Sequence, residues 1–289
     1  MLNWLIDPLG YPFMVRGLVA SMMVGVVCSV LGTYIVLRGM AFFGDALAHA
    51  ILPGVVIAYL LGWPLALGAL AVGILTALGI GTLSTKGHIK EDTAIGVIFA
   101  GAFALGVALL STVRSYTTDL AHFLFGNVLG VSDSDLWWTA GLGALVLLTI
   151  IGFYKEFLVL SFDPILAETL RLPATLLRYL LLVLIAATIV VALQTVGVGL
   201  MVAMLVTPAA SARLLTQRLP TMMVISALIG AFSGVAGLYL SFYQNVASGP
   251  AVVLTATAIF VLAFLFAPRR GVVWEWWRTR VTSTNLRGH

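Results

Sequence analysis

Leu145-Val-Leu-Leu-Thr-Ile-Ile-Gly152 carries no charge and no alternation of polar and apolar positions. A strand of a membrane barrel alternates the two with a period of two, so this run is not one. Extended on both sides, it reaches the roughly 20 apolar residues that a helix needs to cross the hydrocarbon core of a bilayer. It therefore reads as a transmembrane helix.

The same reading repeats along the chain. Spans fall at about 17–37, 46–62, 65–84, 93–112, 136–154, 176–195, 198–212, 221–243 and 250–267. Breaks fall at Gly62-Trp63-Pro64, Ser84 to Asp92, Ser111 to Asp135, Lys155 to Arg178, Gln194 to Gly199, Thr216 to Pro220 and Ala247 to Pro250. The count is nine, or eight if the short seventh span is broken at Thr207-Pro208. The fold class is all-α, a polytopic membrane protein.

Composition agrees. Of 289 residues, 61% are hydrophobic and 9% charged, and the mean hydropathy is +1.12. A soluble domain carries about 25% charged residues, so a soluble globular fold is excluded. Cys28 is the single cysteine, which rules out a disulfide within the chain and a four-cysteine zinc site. Met1 to Pro12 lacks the basic segment and apolar core of a cleavable signal, so none is expected.

The cations are unevenly spread. With the Lys155–Arg178 loop placed in the cytoplasm, thirteen of the fifteen Lys and Arg fall inside and only Arg16 and Arg114 fall outside. Cytoplasmic loops carry such an excess. The C-terminus is then cytoplasmic and the N-terminus outside. Residues 1–16 lie along the outer interface, and residues 268–289, with Trp274, Trp276 and Trp277 among arginines, anchor at the inner surface.

Several motifs stand out against this apolar background. Asp45 and His49 share one helical face, a turn apart. Ionisable groups inside a membrane mark ion pathways or ligand sites, and a carboxylate with an imidazole suits a first-row divalent metal. The plainer reading has Asp45 capping the second helix and His49 bonding a backbone carbonyl. Two ligands are too few for a tight divalent site, so the metal reading requires a second pair, which a symmetric homodimer would supply. Pro53-Gly54, one turn on, can kink the helix.

Lys86 to Thr93 holds His88, Glu91 and Asp92, which read as a solvated helix start. Asp119 and His122 share a face, with Asn127 following; this segment is either structural or a short re-entrant helix at an outer mouth or gate. Asp163-Pro164 starts a short helix that Pro173 ends. That helix either lies on lipid or docks into a partner. Gly230 and Gly234 permit close backbone approach, within the chain or across a dimer seam. There is no phosphate-binding loop for ATP, no zincin motif, no serine-hydrolase elbow and no basic-aromatic surface for nucleic acid. The chain does not read as an enzyme, and energy must come from another chain or an ion gradient.

Taken together, these blocks resemble one family. Leu37-Arg-Gly-Met40, Gly44-Asp45-Ala-Leu-Ala-His49-Ala-Ile-Leu-Pro53-Gly54, Lys90-Glu-Asp-Thr-Ala-Ile-Gly96 and Asp119-Leu-Ala-His122 are similar to the permease subunits of bacterial ABC importers for manganese, iron and zinc. So are Ser161-Phe-Asp-Pro164, Met204-Leu-Val-Thr-Pro-Ala-Ala210 and Gly249-Pro-Ala-Val-Val-Leu-Thr255. The resemblance runs from about Tyr11 to Pro268.

It implies a single permease domain over residues 1–289, of the type II importer kind, in the bacterial cytoplasmic membrane. It implies a homodimer, two cytoplasmic ATPase subunits that bind the ATP, and an extracytoplasmic metal-binding protein. Asp45 and His49 would hold the passing ion. The segment 162–172, with Phe162, Asp163, Pro164, Leu166, Ala167 and Leu170, would seat on the ATPase. The motif wording looks most like the manganese branch, with Fe2+ and Zn2+ as alternatives. Manganese binds such ligands more weakly than zinc, so selection is assigned to the binding protein. No permanently bound cofactor is expected. The competing readings are a gradient-driven transporter and an intramembrane metalloenzyme.

Overall fold

The computed structural model describes residues 6–87, 89–112, 128–162 and 164–267, and every regular element among them is helical. In chain order these are α1 (Pro12–Arg38), α2 (Phe43–Ala50), α3 (Leu52–Leu61), α4 (Leu65–Lys86), α5 (Glu91–Ser111) and α6 (Asp133–Gly152). They continue with α7 (Tyr154–Phe162), α8 (Pro164–Thr169), α9 (Ala174–Val196), α10 (Val198–Leu215), α11 (Leu219–Gln244) and α12 (Ser248–Phe266). Counting α2 and α3 as one broken span, nine are long and apolar enough to cross a bilayer among the described residues.

The centre of the bundle is α1, which packs on α6, α9, α10 and α11. It is mostly apolar on all faces, as a largely enclosed helix must be, with Val15, Val19 and Met22 left exposed toward its N-terminal end. Its small residues let neighbours close in. A side chain at Gly32 would collide with the carbonyl of Leu205 on α10, and one at Gly25 with the backbone of Gly230 on α11. Gly230 and Gly234 therefore serve packing within the chain, against α1. Gly39 ends α1 with φ of 72°, a left-handed cap that an L side chain resists. The chain then turns back through Met40 into α2.

Two prolines fall inside spans, with opposite outcomes. Pro53 has no N–H for the carbonyl of His49, and the span breaks there into α2 and α3. The N–H of Ile51 still donates to the Leu47 carbonyl at 3.2 Å, whereas the His49 carbonyl loses its helical donor. Pro208 leaves the carbonyl of Met204 without its helical donor, yet α10 runs through unbroken. The hydroxyl of Ser29 on α1 donates to the Met204 carbonyl at 3.3 Å. In an apolar interior a freed backbone group is tolerated where a neighbouring side chain satisfies it.

The segment from Lys155 onward is not the open loop that its polar residues suggest. Tyr154–Phe162 forms α7, with Phe157 and Leu160 buried, and Phe157 meets the ring of Tyr34 edge-on at 5.8 Å. The cations separate as the charge count predicts. Arg38, Arg178 and Arg213 converge at one end, where Arg213 donates to the Val36 carbonyl at 2.7 Å. Arg16 pairs with Asp133 at the other end, 3.6 Å apart.

Candidate metal centre

The helix α2 is amphipathic in an unusual sense: it has one polar stripe on an otherwise enclosed surface. Phe43, Gly44, Ala46, Leu47, Ala48 and Ala50 are all buried. Asp45, in the first turn, and His49, in the last, remain 39% and 41% exposed at the side chain. The helix pitch puts both on one face of α2.

Neither residue is consumed by the fold. Phe42, not Asp45, occupies the N-cap position, and no side chain caps the helix. The Oδ1 of Asp45 and the Nε2 of His49 stand 3.7 Å apart, too far for a hydrogen bond. Neither makes one to the backbone, so the capping reading of Asp45 and the carbonyl-bonded reading of His49 both give way. Both side chains keep a part of their surface free, so neither a cap nor a backbone bond accounts for them.

Aromatic rings frame the pair. His49 lies edge-on to Phe103 at 5.9 Å and tilted to Phe99 at 6.4 Å, and those two rings stack at 5.8 Å. Phe42 meets Phe99 edge-on at 5.9 Å. Phe99 and Phe103 stand near the middle of the 21-residue α5. At about 1.5 Å per residue that puts His49 beside a stretch of α5 roughly 12–18 Å from its Glu91 end. The apolar frame lowers the local dielectric, which strengthens attraction for a cation. Among the described residues, no group of three or more His, Cys, Asp or Glu lies close enough to hold a metal ion. One chain thus brings two groups of ligand type together here.

A second charged cluster has no functional mark in the sequence. Glu91, read above as part of a solvated helix start, is drawn inward. Its Oε1 accepts from Arg38 of α1 at 2.5 Å and from Arg178 of α9 at 3.2 Å. Arg178 also donates to Thr85 of α4 at 3.0 Å. The side chains of Arg38, Glu91 and Arg178 are 7%, 19% and 22% exposed. Asp92, one position on, is exposed as expected. Spacing in the sequence could not have found this cluster, since its members come from three separate helices.

The remaining predicted residues divide. Phe162, Leu166 and Leu170 are exposed in and beside α8, whereas Ala167 is fully buried and faces the bundle. Pro164 begins α8. Asp163, His88, Asp119, His122 and Asn127 lie outside the described residues, as does the tail from 268.

The described residues form a multi-pass helical bundle with a half-exposed carboxylate-imidazole pair on α2. The model of the ABC 3 transport family matches residues 10–267, and the chain belongs to that family. It is 49% identical over 270 residues to the manganese transport system membrane protein MntC of Halalkalibacterium halodurans, covering 93% of this chain and 92% of that one. It is 40% identical to a probable iron transport system membrane protein of Haemophilus influenzae, covering 93% and 99%. Among solved structures it is similar to PsaBC from Streptococcus pneumoniae in complex with Fab. That match has a TM-score of 0.81 at 42% identity, over 93% of this chain and 98% of the other.

Proposed function

We propose that this chain is the permease of an ATP-driven importer for a divalent transition metal, Mn2+ foremost and Fe2+ or Zn2+ in second place. The observation that carries the reading is the half-exposed Asp45/His49 pair, which caps nothing and bonds no backbone group, beside the middle of α5. An ionisable pair that the fold does not use is retained at a cost, and a passing cation accounts for that cost. The names of the relatives support manganese among the metals.

In this reading two copies meet across the α2/α5 face. Each contributes one carboxylate and one imidazole, giving a four-ligand site of moderate affinity that can also release its ion. The chain forms a single permease domain with its C-terminus in the cytoplasm. Two ATPase subunits bind below, and an extracytoplasmic metal-binding protein delivers the ion from above. Asp119, His122 and Asn127 are assigned to the outer mouth on the family resemblance. Phe162, Leu166 and Leu170 form the surface that meets the ATPase, with Pro164 starting its helix and Ala167 fixing it to the bundle, and Asp163 is assigned to the same contact on the family resemblance. Support for that assignment is a cavity of about 270 Å³ beside Phe162, lined also by Leu37, Arg213 and Gln217, at the end where the arginines converge.

The test is uptake of radioactive Mn2+ by cells that depend on this system. Asp45→Ala and His49→Ala should each abolish ATP-dependent uptake while the complex still assembles. Normal uptake by both variants removes the site. Full uptake without any ATPase partner replaces the importer with a gradient-driven transporter.

A further inference from the structure

A groove opens on the membrane-facing side of the bundle, on helices that do not carry the metal pair. Its volume is about 480 Å³ and its floor is Val30 of α1. One wall is Leu147, Ile150, Ile151 and, just past the end of α6, Tyr154; the other is the first two turns of α11 around Pro220, Met223 and Val224. The α6-side residues recur at intervals of three and four, so they form a continuous apolar face. Both α6 and α11 pack on α1, and few or no contacts join them to each other, which leaves the space between.

One end of this groove is cationic. Tyr154 and Pro220 line the end where α6 finishes and α11 begins. Lys155 follows Tyr154, and Arg218 precedes Pro220 by two positions; both are exposed. Glu156 is turned about 100° round α7 from Lys155. The N-terminus of the 26-residue α11 has no side-chain cap, so its positive dipole end faces the same mouth. An apolar slot with an exposed cation close in sequence to each wall at one end is matched by one molecule class in a bilayer. Basic pockets between transmembrane helices bind anionic headgroups in this way.

We propose that this groove is a binding site for an anionic phospholipid. One acyl chain lies along Val30 between α6 and α11, and the headgroup phosphate sits between Lys155 and Arg218. The site is separate from the metal pair, and its occupancy does not require the transport reading.

The full-length chain is reconstituted in vesicles of mixed phosphatidylcholine and phosphatidylglycerol. A trace of phosphatidylglycerol carries a photoactivatable acyl chain in both leaflets, so the result does not depend on which face is cytoplasmic. Adducts are mapped by mass spectrometry of peptides. The expected result is enrichment of adducts in 147–154 and 220–227, displaced by unlabelled phosphatidylglycerol and not by phosphatidylcholine. Lys155→Ala and Arg218→Ala should each lower this enrichment about fivefold, with adducts on other faces unchanged. Raising the salt concentration should lower it in the unaltered chain, which covers the case of a variant that does not fold. Equal displacement by both lipids would make the groove part of the bulk lipid shell only and overturn the proposal. Absence of adducts there would mean that protein covers the groove, and would overturn it as well.

Discussion

Arg38, Glu91 and Arg178 form one charged group in this apolar bundle, and Asp45 and His49 form another; adjoining segments of the chain build both. In the first, two guanidinium groups close on one carboxylate and a threonine hydroxyl, and the set is largely enclosed. In the second, the two partners stand 3.7 Å apart and are half-exposed. The first knots the ends of α1, α5 and α9 together, with α4 attached through Thr85. The second ties nothing together. Charges in an apolar medium are retained when they satisfy each other or when something else needs them. The enclosed group is the structural case, and the open pair is the one we propose to be functional. The same helix, α5, serves both: it starts at Glu91 and presents Phe99 and Phe103 to His49.

This contrast can be broken at either side. Glu91→Ala has the largest expected effect on stability. It leaves two enclosed arginines with no counter-charge, at a cost of about 3–5 kcal/mol. Thermal unfolding of the purified protein should show a sharp drop or no folded protein. An unchanged unfolding temperature would show that the cluster is not structural.

Ser29→Ala comes next. It removes the hydroxyl that satisfies the Met204 carbonyl freed by Pro208, and leaves a buried acceptor unpaired. The expected loss is about 1–3 kcal/mol, read by the same unfolding measurement. Amide exchange in α10 should rise on the Pro208 side. A silent variant would mean that Pro208 needs no help from α1.

Asp45→Ala and His49→Ala have the smallest expected effect on stability, within about 0.5 kcal/mol, as for half-exposed side chains that hold nothing in place. They sharpen the contrast because the same substitutions should abolish metal uptake. A large loss of stability in either variant would move the pair into the structural class with Glu91.

The number of spans was legible because a bilayer imposes a length that few other structures share. Nine apolar runs gave, among the described residues, nine helices long and apolar enough to cross, with ends shifted by several residues at most. The shared face of Asp45 and His49 followed from helical periodicity alone. The fate of the two prolines did not. Both looked able to break a helix, and only the hydroxyl of Ser29, far off in sequence, separates Pro208 from Pro53. Glu91 was misread for the same reason. A carboxylate at a helix start is ordinarily solvated, and nothing local announces that Arg38 and Arg178 will fold over it. The polar look of Lys155 and Glu156 similarly hid the buried face of α7, which rests on Phe157 and Leu160. Resemblance to a family supplied what neither periodicity nor composition could, namely the partners and the role of the segment around α8.

The central claim is that one chain carries half of a metal site and that two chains complete it. Metal titration of the assembled dimer, followed by the spectrum of bound Mn2+ or Co2+, measures this directly. The account predicts one ion for every two chains, with nitrogen and oxygen ligands, and loss of that ion in Asp45→Ala or His49→Ala dimers that remain folded. One ion per chain, or binding unchanged by both substitutions, would contradict it.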